Sequence, residues 1–159
     1  MRDQYGNPVV VGTDTTVALS STSSGALFAT VAGGTPVTSV TINAGSSTQG
    51  FYYGDTKAGS PTITASSSGL TSATQAETIT AGAAIKLVFT SSAFTSTTSN
   101  SARNPVMVQL QDQYGNAAPA TSNVTVGLAS TSTGARFAAT SGGSSVTSVT
   151  ISTGATGTT

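Results

Sequence analysis

The sequence predicts an all-β chain folded as a sandwich, and three observations lead there. Short runs of Val, Ile, Leu and aromatic residues alternate with Ser and Thr at a period of two, the mark of half-buried strands. They recur at spacings of about 8–12 residues with Gly, Pro, Asn or Asp between them, the rhythm of sandwiches. No segment shows a helical period bounded by caps, and an Ala-rich patch such as Ala81–Ala84 is broken by Gly82.

In chain order, Thr15–Ser21 is the first predicted strand, with Val17 and Leu19 on one face and Thr16, Ala18 and Ser20 on the other. Gly25–Thr30 follows a small polar turn, and Gly33-Gly34 breaks the chain. Val37–Ile42 alternates again, which places Val40 and Ile42 inward and Thr41 outward. Gln49–Tyr53 is a short aromatic strand closed by Gly54-Asp55. Pro61–Ala65 is next, with proline at the first position, where its missing N–H matters least. Ser66–Gly69 turns the chain and Thr74–Thr80 is a further strand. Ala84–Thr90 is the most apolar strand of all. Ser91–Arg103 reads as a loop, and Val106–Gln111 as a strand running into Asp112.

One stretch occurs twice. Asp3-Gln4-Tyr5-Gly6-Asn7 returns as Asp112-Gln113-Tyr114-Gly115-Asn116, and the match continues ungapped at an offset of 109. Roughly half of the 48 aligned positions are identical, among them Val37–Ile42 against Val146–Ile151. That period exceeds the roughly 20–50 residues of solenoid repeats and suits a whole small domain. Asp, Gly and Asn together are turn chemistry. The motif therefore closes a strand, and the rings of Tyr5 and Tyr114 are expected to lie over the end of the sandwich with their hydroxyls partnered.

Composition narrows the function classes. Of 159 residues only 6% are charged, the net charge is zero, there is no Cys, His or Trp, and Ser and Thr exceed a third of the chain. Disorder needs low hydrophobicity with high net charge, and patterned apolar runs argue instead for a fold. Arg2, Lys57, Lys86, Arg103 and Arg136 are scattered, whereas nucleic acid needs a clustered basic surface. No apolar run approaches the roughly 20 residues of a membrane span, and the start carries no signal-peptide pattern. Without His or Cys, most nucleophile–base pairs and zinc or copper sites are excluded. A carboxylate pair would have to come from Asp3, Asp14, Asp55, Glu77 and Asp112, which are spread over turns and strand ends. The expectation is no enzyme and no cofactor.

Three weaker sites stand beside structural readings. Asp3 or Asp112 could join a calcium site with Asn7, Asp14 or Asp55, but calcium takes six to eight oxygens and no dense acidic cluster exists. Phe51-Tyr52-Tyr53 could form a platform for sugar; alternation puts Tyr52 alone on the outer face, making it the one ligand candidate. Asn123-Val124-Thr125 fits an N-glycosylation acceptor.

Val106-x-Val108-x-Leu110-x-Asp112-x-Tyr114-Gly115-Asn116, with Pro8 after the first copy, resembles the bacterial immunoglobulin-like repeats of invasin- and intimin-type surface proteins. Phe51–Ala65 looks like the later strands of such repeats. The second copy departs in carrying Ala117 for the proline, with Pro119 two residues later. The resemblance implies tandem immunoglobulin-like sandwiches. Residues 1–82 would be the later part of one repeat, without its opening strands, and 83–159 the earlier part of the next, without its closing strands. It implies an extracellular or cell-surface filament, sheath or stalk whose partners are copies of itself or neighbouring repeats, with strands supplied by neighbours as one way to complete each sandwich. The alternative is an adhesin or carbohydrate-binding accessory module that meets glycans or a host surface, and a phage or capsid decoration shares the same fold.

Overall fold

The computed structural model describes residues 1–99, 102 and 104–159. Every strand ladder in it is antiparallel, and no helix occurs among the described residues. The chain divides into two compact units, Met1–Thr80 and Ala81–Thr159. No helix among the described residues is long and apolar enough to cross a membrane.

Unit 1 contains six strands: β1 (Thr15–Ser21), β2 (Ala26–Ala29), β3 (Ser39–Ile42), β4 (Tyr52–Asp55), β5 (Thr62–Ser66) and β6 (Ala73–Ala76). They form a four-stranded sheet in the order β3-β1-β5-β6 and a two-stranded sheet, β2-β4. Leu19 of β1 and Val40 of β3 bury their side chains against Phe28 of β2, so the two sheets face each other in a sandwich-like packing. Val17, Phe51, Tyr53 and Ile63 surround that cluster. The alternation expected of β3 holds: Val40 and Ile42 are buried and Thr41 is exposed.

Unit 2 contains β7 (Lys86–Phe89), β8 (Val108–Gln111), β9 (Val124–Gly127), β10 (Ser148–Ile151) and the two-residue β11 (Gly157–Thr158). The sheets are β11-β8-β7 and β10-β9. Val108 and Leu110 of β8 pack on Val126 of β9 and Ile151 of β10, with Ala120 filling the gap. The expected strand Ala84–Thr90 shrinks to Lys86–Phe89, and Ile85 and Phe89 are 66% and 68% exposed. An apolar sequence fixes strand preference there, but no described strand lies over it. The expected loop Ser91–Arg103 carries no strand in its described part; Asn100, Ser101 and Arg103 lie outside the described residues.

The two units share local geometry at the sequence offset of 109. In β1–β3, Thr15 faces Ile42 and Val17 faces Val40; in β9–β10, Val124 faces Ile151 and Val126 faces Val149. The bridge Arg2↔Pro8 corresponds to Gln111↔Ala117, so the ladder contact survives the loss of proline. Gly6, Gly33 and Gly45 have positive φ, as do Gly115, Gly142 and Gly154. Those six turns need a residue at home in the left-handed region, which is why glycine repeats there.

Candidate functional site

Both copies of the opening motif are tight turns built around the aspartate. Asp112 Oδ1 accepts from the amides of Tyr114 and Asn116, both at 2.9 Å, and Oδ2 accepts from Asn116 Nδ2 at 2.8 Å. Asp3 does the same with Tyr5 and Asn7. Asp112 adds a fourth bond, from the Gly82 amide to Oδ2 at 3.0 Å, which ties the turn to the beginning of its unit. Asp112 is the one buried charged residue among those described, whereas Asp3 is exposed. The side-chain amide of Asn116, followed by the backbone amides of Gly82, Asn116 and Tyr114, outweighs burial and lowers the Asp112 carboxyl to about 2. Asn7 in the same role lowers that of Asp3.

The tyrosine expectation is corrected by this geometry. Carboxylate and amide groups close the turn from inside, so the rings of Tyr5 and Tyr114 point outward and are exposed. As calcium candidates, Asp3 and Asp112 have both carboxylate oxygens committed to N–H donors of their own turn. Among the described residues no three acidic side chains gather as a metal site would require.

A carboxylate with a lowered pKa stabilises the fold above its ordinary value, and that contribution is lost as pH falls through the folded value. The Asp112 turn therefore weakens between about pH 4 and about 2. Acid titration followed by amide NMR signals of unit 2 is expected to show this loss. Asp112→Asn, which cannot titrate, is expected to be less stable at neutral pH and to have a flatter response across that window. An unchanged slope in the variant would remove Asp112 as the cause.

The other organised polar group lies at the edge of unit 1. Strand β4 pairs with β2 so that Phe28 faces Tyr53 and Ala26 faces Asp55. Phe51 and Tyr53 turn inward onto Phe28, at ring-centroid separations of 5.9 and 5.3 Å. The Tyr53 hydroxyl donates to Asp55 Oδ2 at 2.6 Å and lies 3.1 Å from Ser21 Oγ. Ser23 Oγ and the Lys57 amide donate to Asp55 Oδ1 at 2.9 and 2.8 Å. Burial raises the Asp55 carboxyl, but the Tyr53 hydroxyl, the Lys57 amide and Ser23 more than offset it, and the net direction is down. Burial, then the bond to Asp55, raises the Tyr53 phenol. Gly25 is required beneath this network: a Cβ there would come within 2.6 Å of both Asp55 Oδ1 and Thr56 Oγ1.

Sequence reasoning placed Phe51 and Tyr53 inward and missed the Ser21–Ser23–Tyr53–Asp55 network. Its signal was present, since Ser21, Ser23, Gly25 and Phe28 are all identical to Ser130, Ser132, Gly134 and Phe137. Among the described residues of unit 2 that second set has no strand paired with it as β4 pairs with β2. It borders an open cavity of about 1020 Å³ lined by Leu87, Phe89, Phe94, Val126, Leu128 and Phe137.

Tyr52 is 54% exposed on the outer face of β4, the phase expected from alternation. Asn123 Oδ1 accepts from the Thr153 amide at 2.9 Å and so caps a turn. Its counterpart Asp14 does the same for Ala44, which gives Asn123 a structural role apart from any glycan. Asp14, Asp55 and Asp112 thus each have a backbone or side-chain task, and the described acidic residues do not converge on a shared space.

No protein-family model, no curated protein and no solved structure matches this chain.

Proposed function

We propose that the chain is a structural repeat from an extracellular or cell-surface filament, sheath or stalk, built from immunoglobulin-like sandwiches at a period of 109 residues. The observation that carries this reading is the recurrence of pairing register between β1–β3 and β9–β10, residue for residue at that offset. Repetition at the level of register, turn glycines and capping side chains supports one domain design used more than once. On this reading the Asp-Gln-Tyr-Gly-Asn turn marks an equivalent place in each repeat. Its Asp112 copy also fastens the start of its unit through Gly82.

The mechanism is mechanical. Repeats in series hold a fixed spacing, and a chain with only 6% charged residues and abundant Ser and Thr permits close lateral packing. Among the described residues no three acidic side chains gather, and the sequence holds no His or Cys. Electron microscopy of the parent protein tests the reading. Rods or fibres with a regular repeat are expected, and compact isolated particles would overturn it.

The exposed Tyr52 ring favours a second reading, a glycan-binding or adhesin module. Saturable binding on a glycan array that disappears with Tyr52→Ala would replace the structural reading with that one.

A further inference from the structure

Of the six asparagines in the chain, only Asn123 opens an Asn-x-Ser/Thr triplet with no proline at its centre, Asn123-Val124-Thr125. Its side-chain amide is also only half used. The Thr153 backbone N–H can only donate, so the oxygen of Asn123 faces it, at 2.9 Å. The Thr153 hydroxyl donates to the same oxygen at 3.2 Å. Nδ2 is left with no partner among the described residues, whereas Asn7 and Asn116 give theirs to Asp3 and Asp112.

The place is open to solvent. Asn123 directly precedes β9, and it and Thr125 are exposed while Val124 between them is half-buried. The alternation sets the amide and the Thr125 hydroxyl on one side of the chain. Across the ladder Thr150 stands opposite Thr125, and Ser148 opposite Gly127, all of them small. Unit 1 shows that this openness belongs to the design of the repeat. There β5 pairs with β1, and Ser67 Oγ donates to the Thr16 carbonyl at 2.8 Å. Even so, Asp14 and Thr16, the counterparts of Asn123 and Thr125, remain exposed.

Unit 1 also shows what the fold asks of this position. Asp14 Oδ1 accepts from the Ala44 amide at 2.9 Å, the length found between Asn123 and Thr153. A side-chain oxygen is enough to close the turn. The nitrogen that Asn123 adds has no part in the cap.

We infer that Asn123 is the acceptor of an N-linked glycan, donated by a lipid-linked oligosaccharide diphosphate. In the transfer Nδ2 forms a bond to the anomeric carbon of the first sugar. The bond from that carbon to the diphosphate oxygen breaks, and the lipid diphosphate leaves with the electron pair. One amide proton passes to a base of the transferase. The product keeps its amide oxygen, so the bond from Thr153 survives and unit 2 closes the same turn with the glycan in place. The sugar then projects from the outer face of β9, where unit 1 offers only the Asp14 carboxylate. Because such transfer acts on exported chains, the inference rests on the extracellular part of the proposed function, but not on filament formation.

The test is mass spectrometry of the tryptic peptide 104–136, before and after treatment with a peptide N-glycosidase. It is applied to the parent protein from its source and to the full 159-residue chain exported from cells with an oligosaccharyltransferase. Both are expected to carry a glycan at Asn123, released by the glycosidase. Thr125→Ala is expected to abolish the modification and Thr125→Ser to retain it. Asn123→Asp also abolishes it, yet shifts the Tm of unit 2 by less than about 2 °C, because the new oxygen closes the turn as Asp14 does. Asn123→Ala, which loses the cap, lowers that Tm by about 4–8 °C. An unmodified Asn123 in either protein, a glycan that persists in Thr125→Ala, or loss of the unit 2 fold on glycosylation would each overturn the inference. Surface labelling of the parent protein reads its location separately, so a failure of the site and a failure of the extracellular reading are told apart.

Discussion

Phe28→Ala is expected to cost unit 1 about 3–5 kcal/mol, while Phe137→Ala costs unit 2 only about 1 kcal/mol, although the two residues occupy the same place in the repeated sequence. Phe28 is 6% exposed and sits at the centre of its cluster, with Leu19 and Val40 below and the Phe51 and Tyr53 rings beside it. Truncation there removes a large buried ring, loses two aromatic contacts and leaves a cavity between sheets that a ladder on each side prevents from collapsing. Phe137 is only half-buried and borders open space, so its removal leaves little new void. Denaturant unfolding monitored by amide signals assigned to each unit would separate the two effects. Equal losses would mean that Phe137 is packed as tightly as Phe28.

Much of the strand phase was legible in the sequence, because period two is a local signal that survives wherever one face is covered. The burial of Val40 and Ile42 around an exposed Thr41, and the outward turn of Tyr52 between Phe51 and Tyr53, follow from it. Strand ends were less legible. The aromatic strand expected over Gln49–Tyr53 runs instead from Tyr52 to Asp55, because its limits are set by pairing with Ala26–Ala29 and not by composition. Apolar content also misled over Ala84–Thr90, where the richest run is among the least covered.

The polar site was harder to see. Ser23 and Asp55 are separated by 32 positions, and neither carries a local signature of its partner. Only the matching serines of the second copy hint that these hydroxyls do more than decorate a turn. Tyr5 and Tyr114 failed for the opposite reason. Their motif is locally complete, with Asp and Asn satisfying each other and the backbone, so nothing remains to draw the ring inward.

The reverse asymmetry should hold for the isoleucine pair. Ile151→Ala is expected to destabilise unit 2 by about 2–5 kcal/mol, with Ile151→Val costing about 0.5–1.5 kcal/mol, and Ile42→Ala is expected to cost unit 1 less than Ile151→Ala costs unit 2. Ile151 is 0% exposed and packs with Val108 and Leu110 of β8, Ala120 and Val126. Ile42 is buried too, but it stands outside the Leu19–Phe28–Val40 cluster. A unit of about 80 residues has roughly 4–12 kcal/mol of stability in total, so the Ile151→Ala loss should bring unit 2 close to its unfolding threshold at modest denaturant. The measurement is again unit-resolved denaturation, with the valine variant separating cavity formation from loss of fold. Taken with the phenylalanine pair, the expected pattern is reciprocal. Unit 1 draws its stability from the β2–β4 side of the repeated pattern and unit 2 from the β8 side, and a variant series in which both isoleucines, or both phenylalanines, cost the same would contradict that division.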